Sequence, residues 1–283
     1  MNQRINGQAA VRKIKLNWCD SEEARAYVDS RRWESLADSA TLFTHHRGNN
    51  VYLADVPPFG KVVVKESRLD KTFPFFERLG RELRFRLFDV NLRDARAALR
   101  AGELGVAAYR PLAVWRVRYG LWTACYIMYT YVEGDLLNDI CKGGAFDEAD
   151  RPAVKRHLRE LGGMARRLHD GGLRHRDLHP QNIVVRPDGS LALIDFASGY
   201  PVRCKWPRYR RTQDFVSLRR LARLFDADCL AAFCEGYCGT DRGRDYDHAL
   251  LQMLYWKYNG LKGNGGLHRL SFWRYTKTAY DID

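Results

Sequence analysis

The chain has no apolar run approaching the roughly 18 residues that a membrane-spanning helix needs, which argues against a helical span. Proline is sparse, at 9 of 283 residues, and the 23 glycines follow no period, so collagen-like and low-complexity architectures are excluded. The seven cysteines form no C-x-x-C pair; Cys229, Cys234 and Cys238 are separated by four and three residues. That spacing suits reduced structural thiols better than zinc or a disulfide framework. Residues Met1–Leu16 carry Arg4, Arg12, Lys13 and Lys15 but no apolar core, so no secretory leader is expected. Acidic residues are in deficit, 34 against 47 Lys and Arg, giving a net charge of +13. Such a balance points to a phosphate-rich partner, an anionic membrane face or nucleic acid. What remains is ample for folding: 46% hydrophobic and 12% aromatic residues, over a length that suits two domains or two lobes.

Residues 1–39 read as a polar, partly helical lead-in. Ala40–His46, Val51–Val56 and Lys61–Glu66 read as an antiparallel strand meander, turned at His46–Asn50 and at Pro57-Pro58-Phe59-Gly60. Residues 70–104 have a helical pattern, with Leu92, Ala95, Leu99 and Gly102 on one face and Gly105 as a stop. Ala107–Trp115 and Leu121–Tyr131 read as two further strands, and Glu133-Gly134-Asp135 as a boundary. Beyond it Asp150 and Pro152 open a helix whose face is Val154, Leu158, Leu161, Ala165 and Leu168, ended by Gly171-Gly172. Strands first and helices second give an α+β plan of two lobes, 1–132 and 133–283, with a cleft between them.

His175–Ala197 (HRDLHPQNIVVRPDGSLALIDFA) is the most informative stretch. Ile183–Arg186 and Leu191–Ile194 read as strands joined by the turn Pro187-Asp188-Gly189-Ser190. Pairing Arg186 with Leu191 sets Asn182 opposite Asp195 at the open end, with Asp177 in the loop that feeds it. Two carboxylates and an amide are hard oxygen donors, which suit Mg²⁺ with a phosphate substrate and not Zn²⁺.

His175-Arg176-Asp177 with Asn182 resembles the protein-kinase catalytic loop H-R-D-x-x-x-x-N, Asp195-Phe196-Ala197 its D-F-G element, and Val62-Val63-Val64-Lys65 its lysine strand. Within that superfamily the chain is most similar, over about residues 40–225, to the bacterial lipopolysaccharide core kinases of the Kdo/WaaP family. The residues that carry this are Asp94–Leu112, Tyr126–Gly134, Asp177–Asn182 and the basic segment Trp206–Leu224. The resemblance implies a protein-kinase-like two-lobed fold, with an antiparallel sheet and helix in the N-lobe and a mainly helical C-lobe. It implies transfer of the γ-phosphate of ATP to a sugar hydroxyl, heptose or Kdo, of the lipopolysaccharide inner core. Asp177 then takes or orients the acceptor proton, Asn182 and Asp195 hold Mg²⁺, and Lys65 meets the α/β-phosphates, positioned by Asp94. Arg47 and main-chain N–H groups near Gly48 cover the phosphates. Val51 and Val63 stack on adenine, with main-chain bonds near Thr130 and Val132. His179 touches the γ-phosphate or packs the loop, His175 packs, and Asp214 anchors the catalytic loop.

Four departures stand beside these matches. Asp94 replaces a Glu, the covering turn has one Gly, Ala197 replaces the Gly of D-F-G, and no A-P-E element follows. In its place Arg203–Arg211 and Arg219–Arg223 interleave arginines with Trp206 and Tyr209, a pattern suited to an anionic lipid headgroup layer. Phe73, Phe75, Phe76, Leu79 and Leu83 read as core or as a membrane-facing patch. The expectation is therefore a peripheral enzyme at the cytoplasmic face of a Gram-negative inner membrane, with an anionic glycolipid partner and no nucleic acid. A kinase of proteins or other small molecules, and a non-catalytic pseudokinase, are the alternatives. The first is separated by an acceptor panel, the second by whether Asp195→Ala alters ATP turnover.

Overall fold

The structure is a computed structural model that describes residues 11–36, 40–46, 49–68, 74–87, 89–119, 122–141, 150–201 and 225–239. It divides into two compact units, residues 1–134 with 192–199, and residues 135–191 with 200–283.

The first unit is built on a six-stranded antiparallel sheet. Its strands are β1 (Val11–Cys19), β2 (Thr41–His46), β3 (Asn49–Val56), β4 (Gly60–Arg68), β5 (Pro111–Tyr119) and β6 (Trp122–Thr130), in the order β1-β5-β6-β4-β3-β2. The meander 40–66 is therefore present, but the lead-in is corrected: Val11–Cys19 pairs along β5 as an edge strand. Its alternation of exposed Lys13 and Lys15 with half-buried Ile14 and Leu16 is the period of a half-buried strand. β5 also begins later than Ala107, at Pro111, and Ala108 makes only an isolated bridge to Leu193.

Three helices accompany the sheet: α1 (Glu22–Asp29), α2 (Phe75–Leu87) and α3 (Val90–Glu103). The single helical stretch expected over 70–104 is thus two helices. Asp89 divides them by accepting the Leu92 N–H at 2.9 Å as an N-cap, and Gly105 (φ +69°) supplies the left-handed residue after α3. One core layer gathers Trp33, Trp115 and Tyr126, with Trp115 and Tyr126 stacked at 5.1 Å. On the other face Ala95 of α3 packs with Val114 and Ile127.

The second unit opens with β7 (Asp135–Leu136) and α4 (Leu137–Ile140). The long α5 (Arg151–Asp170) follows; Asp150 stands at its N-cap, but its side chain makes no capping bond. β8 (Leu173–Arg174) pairs with β11 (Tyr200–Pro201), and β9 (Ile183–Val185) with β7. α6 (Ala227–Cys238), capped by Asp226, crosses α5 where Gly162 and Gly236 let the two backbones touch.

The hairpin after β9 corrects the register. Arg186 N–H donates to the Ser190 carbonyl and Gly189 N–H to the Arg186 carbonyl, both at 2.8 Å, with Gly189 at φ +79°. This is a type I turn followed by a left-handed bulge residue. Arg186 therefore closes on Ser190, one residue earlier than Leu191, and the pairing that set Asn182 against Asp195 shifts with it. The return strand β10 (Leu191–Leu193) carries the chain back into the first unit, where Leu193 N–H donates to the Ala107 carbonyl at 2.9 Å.

Candidate active site

Lys65 lies on β4 opposite Val51 of β3 and Ile127 of β6, and Val63 lies two residues away opposite Tyr129. Opposed residues, and residues two apart, share one face of a sheet. Val51, Val63, Ile127 and Tyr129 therefore make an apolar surround for the Lys65 stem. Its ammonium lies 3.1 Å from Asp195 Oδ1, with the Lys65 side chain 19% exposed and that of Asp195 41%. Asp195 adopts a left-handed backbone (φ 60°, ψ 69°), uncommon outside Gly and tolerated best by Asn and Asp. The next residue fixes it in place, because Phe196 is fully buried and lies edge-on to Tyr109 at 6.1 Å. Arg93 of α3 donates to the Ala197 carbonyl at 2.5 Å, tying the helix to the same segment.

Asp94 is buried beneath this pair, and its Oδ1 accepts the Tyr109 hydroxyl. Burial pushes its carboxyl from 3.8 to about 6, against the pull of Lys65. For Lys65, burial acts to lower the pKa, and the Asp195 and Asp94 carboxylates outweigh it, so the ammonium is held above its ordinary value. The expected Lys65–Asp94 partnership is thus indirect. Among the described residues the close ion pair of Lys65 is with Asp195, and Asp94 acts on it through the field. The shorter acid is met by a hydroxyl, not by a closer ammonium. Tyr109 is the site residue that the sequence reading missed; the missing methylene at Asp94 was the clue that another donor was needed.

In the second unit, His175 is fully buried, as packing requires, and Arg176 is left-handed at φ 66°. Strained backbone of this kind gathers at functional loops. Asp177 follows with its side chain 47% exposed. Asn182 Nδ2 donates to the Asp177 carbonyl at 2.9 Å and lies 3.3 Å from His179 Nε2, which is itself 3.5 Å from Asp177 Oδ1. The nitrogen of Asn182 is engaged, and its amide oxygen is a hard donor of the kind that could hold a cation. His179 is buried, with Asp177 and Asn182 on either side of it.

Thr130 gives its N–H to the Arg110 carbonyl at 2.9 Å and takes the Arg110 N–H on Oγ1 at 3.0 Å. Tyr131 N–H donates to the Lys61 carbonyl at 3.0 Å, and Val132 follows it in the chain. Arg47, Gly48, Phe73, Asp214 and the basic stretch 203–223 lie outside the described residues.

An antiparallel sheet with a lysine–aspartate ion pair, and a separate H-R-D loop, define a protein-kinase-like fold. A solved structure titled "WaaP in complex with acyl carrier protein" shares it, with TM-score 0.59 and 15% identity over 95% of this chain and 100% of that one. The pattern of the lipopolysaccharide kinase (Kdo/WaaP) family matches residues 75–237, more than half of the chain, and the chain belongs to that family. A 3-deoxy-D-manno-octulosonic acid kinase of Xylella fastidiosa (strain M12) is 35% identical over 95 residues, 34% of this chain and 35% of that protein. A cyclin-dependent kinase F-2 of rice is 35% identical over 96 residues, 32% of this chain and 28% of that protein. The chain thus matches about a third of the length of these relatives.

Proposed function

We propose that the chain is an ATP-dependent kinase that phosphorylates a sugar hydroxyl, heptose or Kdo, of the lipopolysaccharide inner core at the cytoplasmic face of the inner membrane. The observation that carries this is the Lys65–Asp195 ion pair on an apolar strand surround. Lys65 binds the α/β-phosphate oxygens, an anion that replaces part of the hydration its ammonium has lost. Val51 and Val63 receive the adenine, and Val132 offers the main-chain contact. The carboxylate of Asp195 and the amide oxygen of Asn182 are hard donors that suit Mg²⁺, which when bound neutralises charge on the phosphates. Asp177, exposed and next to the buried His179, orients the acceptor hydroxyl and takes its proton. The hydroxyl oxygen bonds to the γ-phosphorus, the bond from that phosphorus to the β–γ bridging oxygen breaks, and ADP departs. His179 is a positioning residue for Asp177.

Transfer of ³²P from γ-labelled ATP to purified core lipopolysaccharide tests this, with dephosphorylated protein and aminoglycoside acceptors alongside. Label in the core sugar, abolished by Asp177→Asn, is expected. Label only in another acceptor, or nucleotide turnover indifferent to Asp195→Ala, overturns it.

A further inference from the structure

The helix α2 presents an apolar stripe to solvent. Phe76 is 84% exposed, Leu79 52% and Leu83 58%, at spacings of three and four residues that place all three on one face. Among the described residues nothing lies within 4 Å of where a Cβ on Gly80, between them, would stand. The helix is held in this orientation from its other side. Glu82 is buried and accepts both the Thr123 N–H at 3.0 Å and the Thr123 hydroxyl at 2.6 Å. Arg78 lies 4.1 Å over the Trp122 ring. These bonds leave the phenylalanine and the leucines facing outward.

The surroundings are cationic. Thr123 is paired with Arg118 of β5, and Arg118 with Lys13 of β1. Opposed residues share a face, so exposed Lys13 and Arg118 lie on the sheet face to which α2 is bonded. Like charges directly opposed are unfavourable unless anions attend them. A convex apolar stripe with a cationic border is the pattern of a helix that lies in the headgroup layer of an anionic bilayer. We infer that α2 is the element that docks this chain on the membrane, with Phe76, Leu79 and Leu83 inserted and Lys13 and Arg118 against anionic lipid. A basic border favours lipid phosphate over a protein of ordinary surface charge. The inference rests on the proposed kinase reading, which needs a lipid-anchored acceptor.

Sedimentation of the full chain with vesicles of phosphatidylethanolamine and phosphatidylglycerol tests the inference without any phosphotransfer. The wild type is expected to sediment with these vesicles at least tenfold more than with phosphatidylcholine. The triple variant Phe76→Ser, Leu79→Ser, Leu83→Ser is expected to lose at least tenfold of that binding at an unchanged melting temperature. Lys13→Glu with Arg118→Glu is expected to remove the preference for anionic lipid. If the triple variant loses cooperative melting, Phe76→Trp in the otherwise native chain replaces it, and a blue-shifted emission on vesicle addition is expected. Equal vesicle binding by wild type and folded triple variant, or an unshifted tryptophan, overturns the inference. So does loss of binding to an acidic carrier protein with vesicle binding intact. Asp195→Ala is expected to bind vesicles like the wild type, so failure of the kinase reading leaves this result standing. Phosphorylation of water-soluble core oligosaccharide by the triple variant isolates the converse.

Discussion

The Tyr109 hydroxyl donates to Oδ1 of Asp94, and the hydroxyl oxygen itself lies 3.5 Å from the Phe196 nitrogen, whose N–H it accepts. One phenol thus links the helix acid to the residue after Asp195. Tyr109→Phe leaves a buried carboxylate short of a donor, at a cost of about 1–3 kcal/mol. Since the hydroxyl lowers the Asp94 pKa, its loss carries that value above about 6. Denaturant unfolding and the pH profile of kcat/KM should both move, the acid limb towards higher pH. A merely structural tyrosine would change the first and not the second.

Asp94 also gives stability a sign with pH. Its folded value of about 6 lies above its ordinary 3.8, so between those values the folded state holds more protons than the unfolded one. Stability from this group is therefore greatest in acid and falls as pH rises through about 6. The full difference is about 3 kcal/mol. Melting of the wild type against Asp94→Asn from pH 4 to pH 7 should show the variant gaining on the wild type. A constant gap between them refutes the assignment.

Lys65→Met should stay folded and lose phosphoryl transfer by about 10²–10³-fold. Asp195 is 41% exposed and can be hydrated once unpaired, and Asp94 takes up a proton more readily without the ammonium. Circular dichroism and a turnover assay check both halves. Retained turnover sinks the role of Lys65, and gross unfolding sinks the electrostatic account.

The crossing of α5 with α6 depends on two glycines. A Cβ on Gly162 would stand 2.1 Å from the Phe233 carbonyl oxygen, and one on Gly236 1.8 Å from that of Arg159. Gly162→Ala and Gly236→Ala should each cost about 1–3 kcal/mol or more, and less than additively together. Gly163→Ala is the control. Its nearest neighbour is the Arg167 side chain at 3.6 Å, and alanine there should stabilise the helix by up to about 1 kcal/mol. Thermal melts of the three variants order them.

Lys65, Asp177, Asn182 and Asp195 stand out in the sequence because a kinase-like loop constrains residue type at fixed spacing. Geometry set by distant contacts was not. β1 carries a two-residue alternation, but its polar content resembles a lead-in and its partner β5 lies about a hundred residues on. Asp89 reads as one more helix residue until its side chain is seen on the Leu92 N–H. Gly189 absorbs one residue in a bulge, which moves every pair of the hairpin. Tyr109 lies fifteen residues from Asp94, beyond a helix end and a turn, and only packing decides that its hydroxyl points inward.

The first unit takes its last piece, Ala192–Gly199, from beyond the long helix α5. A ribosome building this chain therefore releases strands β1–β6 and then all of Arg151–Asp170 before Phe196 exists to occupy its seat beside Tyr109. Nascent chains stalled short of that point should leave Lys65 without its counter-ion, so the first unit is completed only after much of the second has been synthesised.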